Sequence, residues 1–215
     1  MLVEKWMTRA AITIEENESV AAAVRLLREK KIRRLPVLRK GKLCGIVSDR
    51  DLKAASPSVA TSLDIWEIHA LLDKLRVKDV MTKKLLTITP KDTIEKAAMI
   101  MMEKKVGGLP VVDENGALIG ILTEDDVFRA LVEVTGVNRQ KTRVSLLIPD
   151  EAGTIRQVAD ICRKGGGKII SILTSYMKVP AGMRELIMRI DCPDTEALRT
   201  DLAKKFGSVT VTKDQ

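Results

Sequence analysis

Apolar runs alternate with polar breaks along this chain, and the alternation itself repeats. Ser19 and Thr93 each precede a helical stretch rich in Ala, Leu and Met that ends near Lys31 or Lys105. Leu35-Pro36-Val37-Leu38 and Leu109-Pro110-Val111-Val112 then read as short strands, with proline expected at the strand start, where its missing N–H does no harm. Arg39-Lys40-Gly41-Lys42 and Asp113-Glu114-Asn115-Gly116 read as hairpin turns, Asn-Gly being a strong hairpin signal. The stretches Gly45-Ile46-Val47-Ser48-Asp49-Arg50-Asp51 and Gly120-Ile121-Leu122-Thr123-Glu124-Asp125-Asp126 follow, each a buried strand running into a helix. Extended lead-ins, Met7–Ile14 and Met81–Ile88, come before. Each copy is therefore lead-in, helix, strand, strand, helix.

The two copies share residues as well as pattern. Val3-Glu4-Lys5-Trp6-Met7-Thr8 matches Val77-Lys78-Asp79-Val80-Met81-Thr82, and Glu29-Lys30-Lys31-Ile32 matches Glu103-Lys104-Lys105-Val106. The expected organisation is one repeat over residues 1–56 and a second over 77–133. Between them, Ile65, Ile68, Leu72 and Leu75 recur at helical spacing, which predicts a linker helix within 57–76. Trp66 and His69 in it read as packing and surface residues.

After Val132 the pattern changes. Arg143–Ile148 reads as a strand and 149–153 as a loop. A helix beginning at Thr154 presents Ile155, Val158, Ala159 and Cys162, and Gly165-Gly166-Gly167 stops it. Lys168–Thr174 and Glu185–Asp191 are strands, Asp194 caps a second helix running through Phe206, and Ser208–Thr212 is a last strand. The order βαββαβ over 140–215 gives a ferredoxin-like sandwich. The whole chain is thus expected to be α/β in content (α+β), with a paired repeat and a third domain.

Composition narrows the function. Aromatics are 2% of 215 residues, which disfavours a stacking platform for single-stranded nucleic acid. The net charge of +8 sits mainly in the first repeat and the tail: thirteen Lys/Arg against seven Asp/Glu in residues 1–56, eight against nine in 77–132, and thirteen against nine in 140–215. Cys44, Cys162 and Cys192 have no metal spacing, so no metal site is read, and Cys44 and Cys162 suit small core positions. The longest apolar run, Ala97–Met102, is too short to span a membrane, and Glu4 and Lys5 interrupt any leader, so the expected location is the cytoplasm. No base–nucleophile pair or phosphate-cradling loop is present, and no catalytic residue is assigned.

The doubled Gly-x-x-Ser/Thr-x-x-Asp close is the candidate chemistry. Ser48 and Thr123 suit an N-cap, and Asp51 and Asp126 fall in the first helical turn. A capping box alone would account for one copy; two copies inside a repeat also fit a pair of ligand sites. With the Met-Thr lead-in and the Leu-Pro-Val strand, this set resembles the CBS domain, which pairs in tandem as a Bateman unit. The resemblance implies two repeats packed about a pseudo-twofold axis, with an adenosine compound (AMP, ADP, ATP or S-adenosylmethionine) as regulatory ligand in the clefts between them. Asp51 and Asp126 would accept from the ribose hydroxyls, with Ser48 and Thr123 beside them. In the Asp51 cleft, Ile46, Met81, Leu86 and Val106 would hold adenine, and Arg33, Arg34 and Arg50 the phosphates. In the other, Met7, Ile12, Ile32 and Ile121 would hold adenine, but Gly107-Gly108 replaces the arginine pair and Asp125 replaces Arg50. A phosphorylated ligand is therefore expected at Asp51, and a less anionic one, or none, at Asp126.

The C-terminal topology and the Asp150-x-x-Gly153 loop resemble an ACT domain, which implies an amino acid held near Asp150, Ala152, Gly153 and Thr154. The combination is similar to acetoin-utilisation regulatory proteins. The expected function is a non-catalytic sensor, dimeric as both resemblances imply. The alternatives are a regulatory subunit of a partner enzyme and, less favoured, a basic protein associated with nucleic acid.

Overall fold

Ser19 and Thr93 open the two repeats in the same way. Ser19 Oγ accepts from the Ala22 amide and Thr93 Oγ1 from the Lys96 amide, both at 3.1 Å. Helices α1 (Val20–Lys30) and α4 (Ile94–Lys104) follow. Each buries one stripe, Val20, Ala23 and Leu27 in α1 and Ile94, Ala97 and Met101 in α4. Each ends on a lysine in the left-handed conformation, Lys31 and Lys105, where glycine is the commoner residue. The computed structural model of the chain describes residues 1–55 and 73–212. Of the expected linker helix, Ile65, Trp66, Ile68, His69 and Leu72 lie outside the described residues; Leu75 packs against the first core.

Strand β1 is Thr8–Arg9 and β2 is Ile14–Glu15; β3 (Arg34–Arg39) and β4 (Lys42–Ser48) form the first hairpin, and β5 (Gly108–Val112) and β6 (Leu118–Thr123) the second. The hairpin turns differ. Lys40 and Gly41 both have positive φ, as a two-residue type I′ turn requires. The second connection is longer, residues 113–117, and Asp113 Oδ1 organises it by accepting from the amides of Asn115 and Ala117. Only Gly116 has positive φ there, so Asn115-Gly116 is not the type I′ pair its sequence suggests. Proline is the third residue of β3 and β5, not the first. Its ring causes no loss because Pro110 offers its carbonyl to the Ile88 amide at 3.1 Å, so its nitrogen faces the lead-in side before pairing there begins.

The lead-ins cross over. β1, from the start of repeat one, pairs antiparallel with β6 of repeat two, Thr8 opposite Ile121 and Arg9 opposite Gly120. In return Thr82, from the start of repeat two, bridges Ile46 of β4, with both amide–carbonyl bonds made at 2.9 and 3.1 Å. The segments before them cross too. The Val3 amide donates to the Asp92 carbonyl and the Val77 amide to the Glu18 carbonyl, each at 2.9 Å. Ile94 donates to the Met1 carbonyl, and Val20 to that of Leu75. Val77, in the short helix α3 (Val77–Val80), is buried in the core of the first repeat with Leu35, Val37, Val47 and Leu52. This reciprocity relates the halves by an approximate twofold.

Helices α2 (Asp49–Ala55) and α5 (Glu124–Thr135) close the repeats. The contacts divide the chain into Met1–Val127 and Phe128–Gln215, with the boundary inside α5. In the second unit, β7 (Thr142–Pro149), β8 (Lys168–Ser175), β9 (Met183–Asp191) and β10 (Val209–Thr212) form an antiparallel sheet in the order β10-β7-β9-β8. Helices α6 (Thr154–Lys164) and α7 (Thr195–Phe206) supply Val158, Cys162, Leu198 and Leu202 to a core with Val144, Leu146, Ile148, Leu186, Met188 and Ile190. This is the expected βαββαβ order. Burial pushes the Cys162 thiol pKa up to about 11, which leaves it an inert core residue. No helix among the described residues is long and apolar enough to cross a membrane.

The exchanged pairing leaves little room at the glycines beneath it. A Cβ on Gly120 would lie 2.6 Å from the Thr8 carbonyl oxygen, which is backbone and cannot swing aside, whereas one on Gly45 would meet the flexible Met81 thioether. Gly120→Ala is therefore expected to cost about 1–3 kcal/mol and Gly45→Ala clearly less, as read from urea unfolding midpoints; equal losses would contradict the assignment of strain to the β1 backbone.

Candidate functional site

The close of each repeat forms a capping box with a carboxylate in it. Asp51 Oδ2 accepts from the Ser48 amide at 2.8 Å and from the Ser48 hydroxyl at 2.7 Å, while the Asp51 amide donates to Ser48 Oγ at 3.3 Å. Asp126 Oδ2 accepts from the Thr123 amide and hydroxyl, both at 2.7 Å. Both carboxylates thus face their own helix starts, each through Oδ2. What surrounds them differs. Asp126 is 2% exposed. Asp51 is half-buried and lines a cavity of about 340 Å³ formed by both repeats.

Ile46, Ser48, Arg50 and Asp51 reach this cavity from the first repeat, as the sequence leads one to expect, and Leu86 and Val106 from the second. Ile46, Leu86, Val106 and Pro110 give it an apolar side. Arg34, Arg50, Lys84 and Lys105 give it four cations against the three carboxylates of Asp49, Asp51 and Glu124. Lys84, Lys105, Thr82 and Glu124 are not among the residues expected from the sequence; their signal is position, one or two steps from residues that are. Two expected residues lie elsewhere. Arg33 is exposed outside the lining, and its carbonyl accepts from the Asp49 amide at 2.9 Å. Met81 is buried in the first core, with its sulfur against Gly45.

Arg34 crosses from one repeat to the other. Its Nη1 donates to the Gly107 carbonyl. Burial lowers the guanidinium pKa most, and Glu124 and Asp49 oppose that shift. Asp49 and Glu124 occupy equivalent positions in the two repeats, so Arg34 sits between a carboxylate of each. The Gly107-Gly108 pair is its seat: a Cβ on Gly107 would collide with Arg34 Nη2 and lie 2.6 Å from Glu124 Oε2, and one on Gly108 would lie 2.7 Å from Arg34 Cδ. The second repeat has glycines where the first has arginines because the first repeat's arginine occupies the space.

Of the residues expected with Asp126, Met7 and Ile121 are buried, Thr8 standing opposite Ile121 in the β1–β6 register and the Met7 sulfur lying beside Gly120, while Asp125 is exposed. Ile12 is largely exposed, and Ile32 packs partly against the first core. In the second unit, Asp150 Oδ1 lies 3.3 Å from Arg184 Nη1 and accepts from the Tyr176 hydroxyl at 3.3 Å. Gly153 has φ +87 and begins α6. Thr154 is buried and its hydroxyl donates to the Glu151 carbonyl at 3.1 Å, and Ala152 is exposed.

A doubled unit with exchanged lead-ins, a carboxylate at each strand-to-helix junction and a cavity between the halves defines a paired-repeat module by class. The family model for the CBS domain matches residues 3–58 and 77–133, and the chain belongs to that family. An uncharacterized protein of Methanocaldococcus jannaschii is 36% identical over 61% of this chain and 92% of its own length. An inosine-5′-monophosphate dehydrogenase of Korarchaeum cryptofilum is 40% identical, but over only 23% of that enzyme. Among solved structures, CBSX2 in complex with AMP is 37% identical with a TM-score of 0.51 and covers 62% of this chain and 97% of its own. The CBS pair of protein MJ0100, in complex with 5′-methylthioadenosine and S-adenosyl-L-methionine, is 26% identical with a TM-score of 0.51, over 61% and 95%. A Vibrio cholerae protein described as a putative acetoin utilization protein is 28% identical with a TM-score of 0.53, over 65% and 96%.

Gly107→Ala should expel the Arg34 guanidinium from its seat at a cost of about 1–2 kcal/mol. In a double-mutant cycle with Arg34→Ala the two losses are expected to be strongly non-additive, since only one contact is removed; additive losses would place the strain elsewhere.

Proposed function

We propose that this chain is a non-catalytic sensor that takes a phosphorylated adenosine ligand in the Asp51 cavity. One observation carries the reading: a carboxylate with one oxygen fixed lines the same cavity as the apolar Ile46, Leu86 and Val106 and the cations Arg34, Arg50, Lys84 and Lys105. Oδ2 of Asp51 is held by Ser48, which fixes the carboxyl plane and leaves Oδ1 to accept from a ribose diol. Ser48 stands beside it. Ile46, Leu86 and Val106 suit a flat purine, and the cations suit phosphate oxygens. The AMP bound by CBSX2 and the S-adenosyl-L-methionine bound by the MJ0100 pair support the ligand class. Glu124 and Asp49 compete with phosphate for Arg34, so a ligand that wins this competition alters a contact joining the two repeats.

The cleft of Met7, Ile12, Ile32, Ile121, Thr123, Asp125 and Asp126 is the weaker of the two in this reading. Its carboxylate is already 2% exposed and it has no counterpart of Arg34. The fold and the Asp150–Thr154 loop of the C-terminal unit support an ACT-like domain, with an amino acid as a second ligand, and the working form is a homodimer. A second reading, a regulatory subunit acting on a partner enzyme, is favoured by one observation: related CBS pairs occur as a minor part of enzymes such as inosine-5′-monophosphate dehydrogenase.

Titration calorimetry with AMP, ADP, ATP and S-adenosylmethionine tests the proposal. Asp51→Ala is expected to weaken the phosphorylated ligand about tenfold or more, and Asp126→Asn to leave it nearly unchanged. Equal losses, or tightest binding of the cationic S-adenosylmethionine in the Asp51 cavity, would overturn it. Glu124→Gln should tighten the phosphorylated ligand several-fold, by about the worth of one exposed charge interaction, and the gain should shrink as salt is raised.

A further inference from the structure

The sheet of the C-terminal unit has a second face. Strand alternation sends Leu146 and Met188 toward α6 and α7, and Arg143 and Ile187 the other way. The end of α5 lies on part of this outer face. The Thr135 carbonyl accepts from Ser171 Oγ at 2.8 Å and from Arg189 Nε at 3.2 Å, and Arg189 Nη1 donates to the Lys141 carbonyl at 2.9 Å. Beside this anchor is a cavity of about 400 Å³. Its walls are mostly apolar, from Leu131, Val132, Val137, Leu173 and Ile187, with Arg143 among the lining residues.

Two features give the cavity a chemistry. Arg143 stands directly opposite Arg189 in the β7–β9 register. Like charges in that relation destabilise a strand pair, and an anion beside them relieves the cost. Arg189 is 5% exposed and committed to the carbonyls that anchor α5. Arg143 is half-buried, donates Nη1 to Ser145 Oγ at 3.3 Å, and has no carboxylate within ion-pair distance among the described residues. A guanidinium next to an apolar space suits a carboxylate, which it can take through two parallel bonds, with hydrocarbon filling the space. We propose that this cavity binds an aliphatic carboxylate, its chain between Leu131, Val137, Leu173 and Ile187 and its head on Arg143. The site is separate from the Asp51 cavity and from the Asp150–Thr154 loop, and does not depend on either being occupied.

Octanoate, octanol and octylamine titrated into the full chain by calorimetry test this. Octanoate is expected to bind about tenfold more tightly than octanol, with octylamine weakest. Arg143→Gln should abolish the preference for octanoate over octanol while leaving the melting temperature of the unliganded chain unchanged or higher. Ile187→Trp, which fills the cavity, should remove binding of both; Leu173→Phe serves the same purpose if that variant does not fold. Equal affinity for octanoate and octanol in the unaltered chain, or octanoate binding that survives the filled cavity, would overturn the proposal. So would a dimer in sedimentation that Ile187→Trp dissociates while no carboxylate binds, since the face would then belong to a second copy.

Discussion

The fold of the first unit depends on one exchange: the start of each repeat completes the sheet of the other. Thr8 pairs with Ile121, and Thr82 with Ile46. Each exchange gives the closing strand of the opposite repeat a partner on its open edge, β1 as a short strand and Thr82 as a single bridge, where unpaired amides and carbonyls would otherwise face solvent. A repeat of about 55 residues has a marginal core by itself. Val77, contributed from outside, sits at the centre of the first repeat's core. The cavity at Asp51 lies between the halves, with Ile46 and the Thr82 that crosses to it both in its lining.

The same exchange explains why most of the fold was legible in the sequence and part of the site was not. Helix starts at Ser19, Thr93 and Asp194, the αL lysines aside, follow local rules that involve residues three or four apart. The βαββαβ order follows from strand and helix periods alone. Asp51 and Ser48 were legible for the same reason: their contacts are three residues apart. The seat of Arg34 spans 73 residues, from Arg34 to Gly107, and no local pattern announces it. Gly107-Gly108 read as a loss of arginines, when it is the space one arginine fills. Met81 is a ligand contact only by the family resemblance; here it is buried, and Gly45 leaves room for its sulfur.

The two clefts show how a duplicated unit departs from symmetry without a change of fold. The junction hydrogen bonds at Asp51 and Asp126 agree to within 0.1 Å. The difference lies in the groups around them, where a guanidinium can occupy only one of two equivalent positions. Once Arg34 reaches across to Gly107, the equivalent path from the second repeat has no side chain to follow it. Charge is then concentrated at one cleft, and the two clefts come to differ by exclusion.

The crossing of the lead-ins also bears on how such a module can be inherited. The stretch that is copied in the sequence and the stretch that folds together are offset by the length of a lead-in. A gene segment holding one sequence repeat would encode a core lacking Val77 or Val3 and a sheet lacking an edge, so it would not behave as a portable cassette. Two copies have to travel together, which gives selection a reason to keep the pair intact even while its two clefts diverge.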